Sequence, residues 1–143
     1  MNRIIIFFFL FNFFYSYSQQ YLPVSNSEVI NHTYYTLSYS EFHEQAEWVH
    51  YKLSPEMING SFKRTNNFRQ DKKVSTGSAS LADYRKSGYE RGRLAPAADM
   101  KLSYNMMSKS FLMSNISPQN PSFNKGGWKK LENISVSKKE FRN

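Results

Sequence analysis

The 143-residue chain contains no cysteine, and this absence excludes two kinds of structural support. Disulfide bonds cannot stabilise the fold, even in an oxidising compartment. Structural zinc sites built from thiolates are excluded as well. Any metal site must therefore use oxygen ligands or one of the three histidines, His32, His43 and His50.

Acidic residues are few in comparison with basic ones. The chain has 11 Asp and Glu residues against 19 Lys and Arg residues, which gives a formal net charge of +8. Such a charge suits polyanionic partners, namely nucleic acid, anionic envelope polymers or lipid headgroups, but it does not choose among them. The length is sufficient for one modest domain.

A hydrophobic run long enough to span a bilayer is also lacking. The longest apolar run covers residues 4–15, is interrupted by Asn12, and is too short for a comfortable membrane span. Arg3 precedes the run, and Ser16 and Ser18 follow it with the spacing of a cleavage site. The pattern predicts a signal peptide over residues 1–18 and a secreted or periplasmic protein with no stable membrane insertion after cleavage. An uncleaved N-terminal anchor is the alternative.

Two strands are predicted after a lead-in loop over residues 19–31. Residues 32–40 alternate and are rich in Tyr and Thr, and residues 48–53 are the second strand of the hairpin. Residues 111–116 are predicted to be extended. Asn124, Trp128, Leu131 and Glu132 recur at i, i+4, i+7 and i+8, which places them on one face of a helix. Five large side chains are predicted to be core residues: Phe68, Tyr89, Phe111, Trp128 and Leu131.

Five segments occur in an order and spacing that is typical of one family. They are "YYTLSY", "WVHYKL", "FKRTNNFRQD", "TGSASLADYRKSGYERGRLAPAADM" and "FLMSNISPQNPSFNKGGWKKLE". Together they resemble the DNA/RNA non-specific endonuclease family, the ββα-metal nucleases, over residues 32–132. A resemblance carried by several segments is more specific than a single four-residue motif.

The resemblance implies an α+β fold, with a mostly antiparallel sheet and a ββα-metal finger over residues 89–132. Residues 32–132 then correspond to the N-terminal portion of the endonuclease domain. Residues 133–143 do not resemble the family's continuation and are predicted to be an unrelated basic tail, so that the C-terminal part of the family fold is missing.

The implied activity is one-metal hydrolysis of phosphodiester bonds in DNA and RNA, without sequence specificity. Asn124 corresponds to the family's metal-binding asparagine, and Glu132 to the glutamate that holds the metal through water. The implied metal is Mg²⁺ or Mn²⁺, because a side-chain carbonyl oxygen is a hard ligand and Mg²⁺ keeps several waters. Arg64 and Arg91 correspond to arginines near the scissile phosphate, and Asn115 to a further active-site asparagine.

The family signature Asp-Arg-Gly-His corresponds to Glu90-Arg91-Gly92-Arg93. Arg93 thus stands at the position of the general-base histidine. Its guanidinium, with a pKa above about 12, has no lone pair to accept a proton at neutral pH. General-base catalysis contributes about 10²–10⁴ in rate, so we expect impaired or absent hydrolysis with phosphate binding retained. Asp99 is expected to have only a structural role.

Three interpretations stay open at this point: an impaired secreted endonuclease, a pseudo-nuclease that binds nucleic acid without cutting it, and a non-functional fragment. A nicking assay separates the first two when it is combined with a binding assay in which salt is varied. The sequence does not predict the oligomeric state.

Overall fold

The computed structural model describes residues 22–137, with Ile58 and residues 135–137 described by their backbone alone. The predicted signal peptide, residues 1–18, and residues 138–143 of the predicted tail lie outside this range. Among the described residues, each helix is too short or too polar to cross a membrane.

A three-stranded antiparallel sheet forms the first half of the fold. Its strands are β1 (Glu28–Asn31), β2 (Thr36–Ser40) and β3 (Gln45–His50), in the order β1-β2-β3. The predicted hairpin is confirmed, although β3 begins three residues earlier than expected. The prediction of a loop over residues 19–31 was wrong for β1. That strand has four residues and buries only Ile30, so its alternation is too short to recognise.

The second half is a two-stranded antiparallel ribbon followed by a helix. Strand β4 (Glu90–Arg93) pairs with β5 (Ile116–Gln119), and between them lie two 3₁₀ turns, Ala97–Asp99 and Met113–Asn115, and helix α2 (Tyr104–Lys109). After β5 come α3 (Pro121–Phe123), a π-turn (Asn124–Trp128) and α4 (Lys129–Ser137). Helix α1 (Pro55–Asn59) precedes the ribbon. The α+β class with an antiparallel sheet is confirmed.

Two boundaries near the ribbon differ from the sequence prediction. Residues 113–115 form a 3₁₀ turn, so the strand begins at Ile116 rather than spanning residues 111–116. Helix α4 continues to Ser137, five residues into the predicted tail. Helical hydrogen bonding continues there because residues 133–137 include no Pro or Gly.

The side chains that were predicted to be in the core differ in how far they are buried. Phe111 is fully buried, as predicted, and Phe68 and Trp128 are half-buried. The predictions for Tyr89 and Leu131 were wrong, since these side chains are 57% and 56% exposed. The π-turn between Asn124 and Trp128 has more residues per turn than an α-helix, so Leu131 is rotated relative to Asn124 from the position that a regular α-helix would give it. Tyr89 follows Gly88, whose φ of 81° turns the chain just before β4.

A buried polar network joins the sheet to the turn before β5. His32 Nε2 lies 2.7 Å from Asp71 Oδ2, and Ser114 Oγ donates to the same oxygen at 2.6 Å. Burial alone would raise the pKa of Asp71, but hydrogen bonds from His32, Ser114 and the Lys73 amide lower it below its usual range. The network therefore fixes the chain next to Asn115, and it already engages one of the three histidines.

Candidate active site

Strands β4 and β5 approach each other closely at Gly92. Their register places Arg93 opposite Ile116 and Glu90 opposite Gln119. A Cβ atom on Gly92 would lie 2.0 Å from Cδ of Gln119, whose side chain crosses the strand at this point. Glycine within a strand marks such close approaches. Sequence reasoning missed Gln119, and Gly92 was the signal that could have indicated a side chain packed against it.

Three arginines gather over a pair of aromatic rings. Phe68 and Phe111 meet edge to face with ring centroids 4.8 Å apart. The guanidinium of Arg91 lies 4.2 Å from the Phe68 centroid, and those of Arg93 and Arg64 lie 5.0 and 5.3 Å from the Phe111 centroid. Cations are attracted to the faces of aromatic rings at such distances. We call Arg64, Arg91 and Arg93 the arginine cluster.

The cluster carries concentrated positive charge. Burial lowers the pKa of Arg93 to about 10, and the charges of Arg64 and Arg91 act in the same direction, against the attraction of Glu132. Arg93 is thus still a cation at neutral pH. Its Nε atom is buried and has no hydrogen-bond partner among residues 22–137. The three neighbouring cations together favour a nearby anion that can accept their hydrogen bonds.

Asn124 is oriented by β4. Its Nδ2 donates to Glu90 Oε2 at 2.8 Å, while Lys125 Nζ lies 2.6 Å from Glu90 Oε1. The pairing with Lys125 and the bond from Asn124 lower the pKa of Glu90, which is therefore a carboxylate at neutral pH. Because the amide nitrogen faces Glu90, the Asn124 carbonyl oxygen is directed away from it and can serve as a hard ligand.

Glu132 lies one helical turn after Trp128, and Trp128 fixes the helix to β4. Trp128 Nε1 donates to the Arg93 carbonyl oxygen at 3.0 Å. Burial raises the pKa of Glu132, the negative charge of Asp99 adds to this effect, and the attraction of Arg93 opposes it. Arg93 and Glu132 are thus electrostatic neighbours.

The donor set of the site fits a hydrated hard cation. Asn124 offers an amide oxygen and Glu132 a carboxylate, and Mg²⁺ accepts few protein ligands because it keeps several waters. Across residues 22–137, groups of three or more His, Cys, Asp and Glu residues that could hold a metal do not occur. The Arg93 cation opposes a metal ion at this place.

Asn115 is fully buried and bonded to backbone atoms on both sides of its amide. Its Oδ1 accepts from Ala95 N at 2.8 Å, and its Nδ2 donates to Ala95 O at 3.0 Å and to Ser110 O at 2.9 Å. The geometry gives it a positioning role, because it holds the backbone two residues after Arg93. Asp99 is also buried and accepts a hydrogen bond from Tyr51 Oη at 2.7 Å.

A cleft of about 720 Å³ opens beside the arginine cluster. Arg64, Arg91 and Asn124, predicted from separate segments, all line it. Three other predicted site residues, Arg93, Asn115 and Glu132, do not line the cleft. The complete lining consists of Arg64, Asn66, Phe68, Leu81, Tyr84, Arg85, Tyr89, Glu90, Arg91 and Asn124.

Known proteins resemble this chain over most of its length. A family model described as DNA/RNA non-specific endonuclease matches residues 16–137. Human mitochondrial endonuclease G is 40% identical over 105 residues, which cover 72% of this chain and 35% of the human protein. The mitochondrial nuclease EXOG of Danio rerio is 41% identical over 113 residues, which cover 78% of this chain and 33% of that protein.

A bacterial relative and a solved structure extend the comparison. A nuclease from Nostoc sp. is 36% identical over 114 residues, 78% of this chain and 39% of the nuclease. The chain also superimposes on the crystal structure of an EndoG/EndoGI complex, which concerns the mechanism of EndoG inhibition, with a TM-score of 0.72. The two chains are 29% identical, and the match covers 81% of this chain and 49% of that chain. The chain spans about a third of the length of the curated relatives it matches. It belongs to the DNA/RNA non-specific endonuclease family.

Proposed function

We propose that the chain acts on DNA and RNA as a secreted, sequence-non-specific endonuclease whose hydrolytic step is impaired by Arg93. The observation that supports this most is the gathering of Arg64, Arg91 and Asn124 around one cleft. Secretion rests on the signal-peptide pattern of residues 1–18. N-terminal sequencing of the protein recovered from the periplasm or medium tests it, with residue 19 expected as the first residue.

Binding of the substrate falls to the arginines of the cleft. Arg91 and Arg64 present planar guanidinium groups, which can contact two oxygens of a phosphate at once. Their stacking on Phe68 and Phe111 limits the orientations of both groups, so little conformational freedom is lost when phosphate binds. Contacts to the backbone phosphates carry no sequence information, which agrees with non-specific recognition.

Asn124 Oδ1, with Glu132 acting through water, would hold Mg²⁺ or Mn²⁺. When bound, the ion stabilises negative charge on the leaving oxygen and the phosphate. Glu90 holds the Asn124 amide in the orientation this requires. Because Glu132 is attracted to Arg93, its carboxylate would be shared between the guanidinium and any such ion.

Proton transfer is the step that this chain performs poorly. A general base must accept a proton from the attacking water, and Arg93 remains protonated at neutral pH even with its pKa lowered to about 10. Hydrolysis must then proceed without the factor of about 10²–10⁴ that a positioned base supplies.

Nicking of supercoiled plasmid by Arg93→His in the presence of Mg²⁺ tests the proposal. We expect the nicking rate to rise by about 10²-fold or more over the wild-type chain, since an imidazole with a pKa of about 6.5 can accept the proton of the attacking water. Arg93→Lys is the matched control and should not raise the rate. Asn124→Ala, introduced into the Arg93→His chain, should remove the gain. An Arg93→His rate equal to that of the wild type contradicts the assignment of residue 93 to the proton-transfer step.

A second candidate function, nucleic-acid binding without cleavage, is favoured by the charge of the arginine cluster. Arg93 adds a third cation beside Arg64 and Arg91 at the position where the family pattern has a histidine. Binding measured over a range of salt concentrations should weaken steeply, with a slope that decreases by about one for Arg91→Ala. Binding of this kind with no nicking at any Mg²⁺ concentration supports the second candidate over the first.

A further inference from the structure

The cleft beside the arginine cluster is lined by two chemically different groups of residues. Arg64, Arg91 and Asn124 suit a phosphate. Leu81, Tyr84 and Tyr89 offer apolar and aromatic surface, and we call this part of the lining the aromatic end. The sequence predicted Tyr89 as a core residue, and the function proposed above makes no use of this end.

The aromatic end presents apolar surface to solvent while its frame is held in place. The Tyr89 side chain is 57% exposed and that of Leu81 is 42% exposed. Tyr84 is half-buried, and its hydroxyl donates to the Ile116 carbonyl at 3.3 Å, which anchors this ring to β5. An exposed aromatic side chain beside a fixed one is suited to receive a flat, partly apolar ligand.

The charge around the two tyrosines is asymmetric. A second cavity of about 290 Å³ shares Tyr84 and Tyr89 with the cleft and is lined by the acidic residues Glu44 and Asp83. The cleft is lined by three arginines, Arg64, Arg85 and Arg91, and by one carboxylate, Glu90. A polyanion is therefore attracted to the cleft rather than to the second cavity, and a nucleotide whose phosphate binds Arg64 and Arg91 would place its base near the tyrosines.

We propose that the aromatic end is a base-binding subsite. The chain consequently binds single-stranded nucleic acid through a stacking contact that a duplex cannot make. The faces of bases in a duplex are covered by their stacked neighbours, whereas an unpaired base can stack on Tyr89. Stacking on an aromatic ring is tolerant of sequence because every base has a π-face. The inference rests on the proposed function, since it takes nucleic acid as the ligand.

Fluorescence anisotropy with two labelled probes tests the subsite. The probes are an oligothymidine single strand and a hairpin duplex of the same number of nucleotides, each titrated with the full chain in EDTA to prevent cleavage. Tyr89→Ala should weaken single-strand binding by about fivefold or more and leave duplex binding unchanged within about twofold. The salt dependence of both should stay the same, because no charge is removed.

Two further variants separate stacking from general damage to the fold. Tyr89→Trp keeps an aromatic face and should retain single-strand affinity. Tyr104→Ala is the matched control. Tyr104 lies on helix α2, is 58% exposed, packs against Phe62 and does not line the cleft. Its affinities for both probes should equal those of the wild type.

The outcomes distinguish this inference from the proposed function on which it rests. If the wild-type chain binds both probes and Arg91→Ala weakens both, nucleic-acid binding stands. A Tyr89→Ala chain that then loses nothing, or loses equal affinity for both probes, overturns the subsite alone. A wild-type chain that binds neither probe overturns the subsite and the proposed function together.

Discussion

Replacing Asn115 by Ala should destabilise the fold strongly, because the side chain is fully buried and hydrogen-bonded to the backbone. Its amide makes three hydrogen bonds, to Ala95 N, Ala95 O and Ser110 O. Alanine leaves all three backbone groups without their partner in a buried place. Each such group costs about 1–3 kcal/mol.

The lower limit is the appropriate one, because a water molecule can enter the space that the amide vacates. We therefore expect a loss of about 3 kcal/mol in the free energy of unfolding, which is a large part of the roughly 5–15 kcal/mol that holds a domain folded. Urea unfolding followed by circular dichroism measures it. With an m value of about 1–3 kcal/mol per molar, the midpoint should fall by about 1–3 M.

Two comparisons test the reasoning rather than the number alone. Asn105→Ala removes the same side chain from an exposed position on α2 and should change the stability by less than about 0.5 kcal/mol. Asn115→Asp keeps the volume but turns a carboxylate oxygen toward two carbonyls. That contact raises the folded-state pKa of the introduced carboxyl group above its unfolded value of about 3.9. The loss in the free energy of unfolding should therefore be greatest at neutral pH and smaller in acid. An Asn115→Ala midpoint that matches Asn105→Ala, or an Asn115→Asp chain as stable as the wild type, refutes the assigned role.

Two further changes address the strand ribbon and the buried network. The folded-state pKa of Asp71 is lowered, so its contribution is present above the unfolded pKa and is lost as pH falls through the folded value. Ser114→Ala should raise the midpoint of acid unfolding, followed by circular dichroism, whereas exposed Ser61→Ala should not move it. Gly92→Ala should cost about 1–3 kcal/mol in urea unfolding, because the new Cβ meets the Gln119 side chain. Gln119→Ala should recover stability in the Gly92→Ala chain but should not stabilise the wild type. If the stability losses of the two single variants simply add in the double variant, the proposed clash with the Gln119 side chain is contradicted.

Local sequence patterns predicted those parts of the fold that a short window contains. The β2–β3 hairpin was found because its residues alternate over a sufficient length, and β1 was missed because four residues alternate too briefly. The helix after Asn124 was found from its spacing. The π-turn within it was not, since nothing in "NKGGW" indicates an additional residue in the turn, and Leu131 was consequently placed on the wrong face.

The site could be assembled from the sequence only through the family resemblance. Arg64 and Arg91 are separated by many residues, and no periodicity relates them. Their joint position over Phe68 and Phe111 depends on tertiary packing. The bond between Glu90 and Asn124 depends on the register of β4 against the helix that follows β5, which a single sequence does not encode locally.

The contacts of residue 93 explain why an arginine can stand at the proposed general-base position without disrupting the strand ribbon. Its backbone pairs with Ile116 in the ribbon, and its carbonyl accepts the hydrogen bond of Trp128. Neither contact involves the side chain. The guanidinium itself is accommodated over Phe111, a ring that would also accept an imidazole edge. The scaffold therefore places few demands on this side chain, whereas the proton transfer requires one that can lose its own proton near neutral pH. Exchange at this position changes the chemistry far more than the fold. Arg93→His should therefore alter the nicking rate while leaving the free energy of unfolding, measured in urea, within about 1 kcal/mol of the wild-type value.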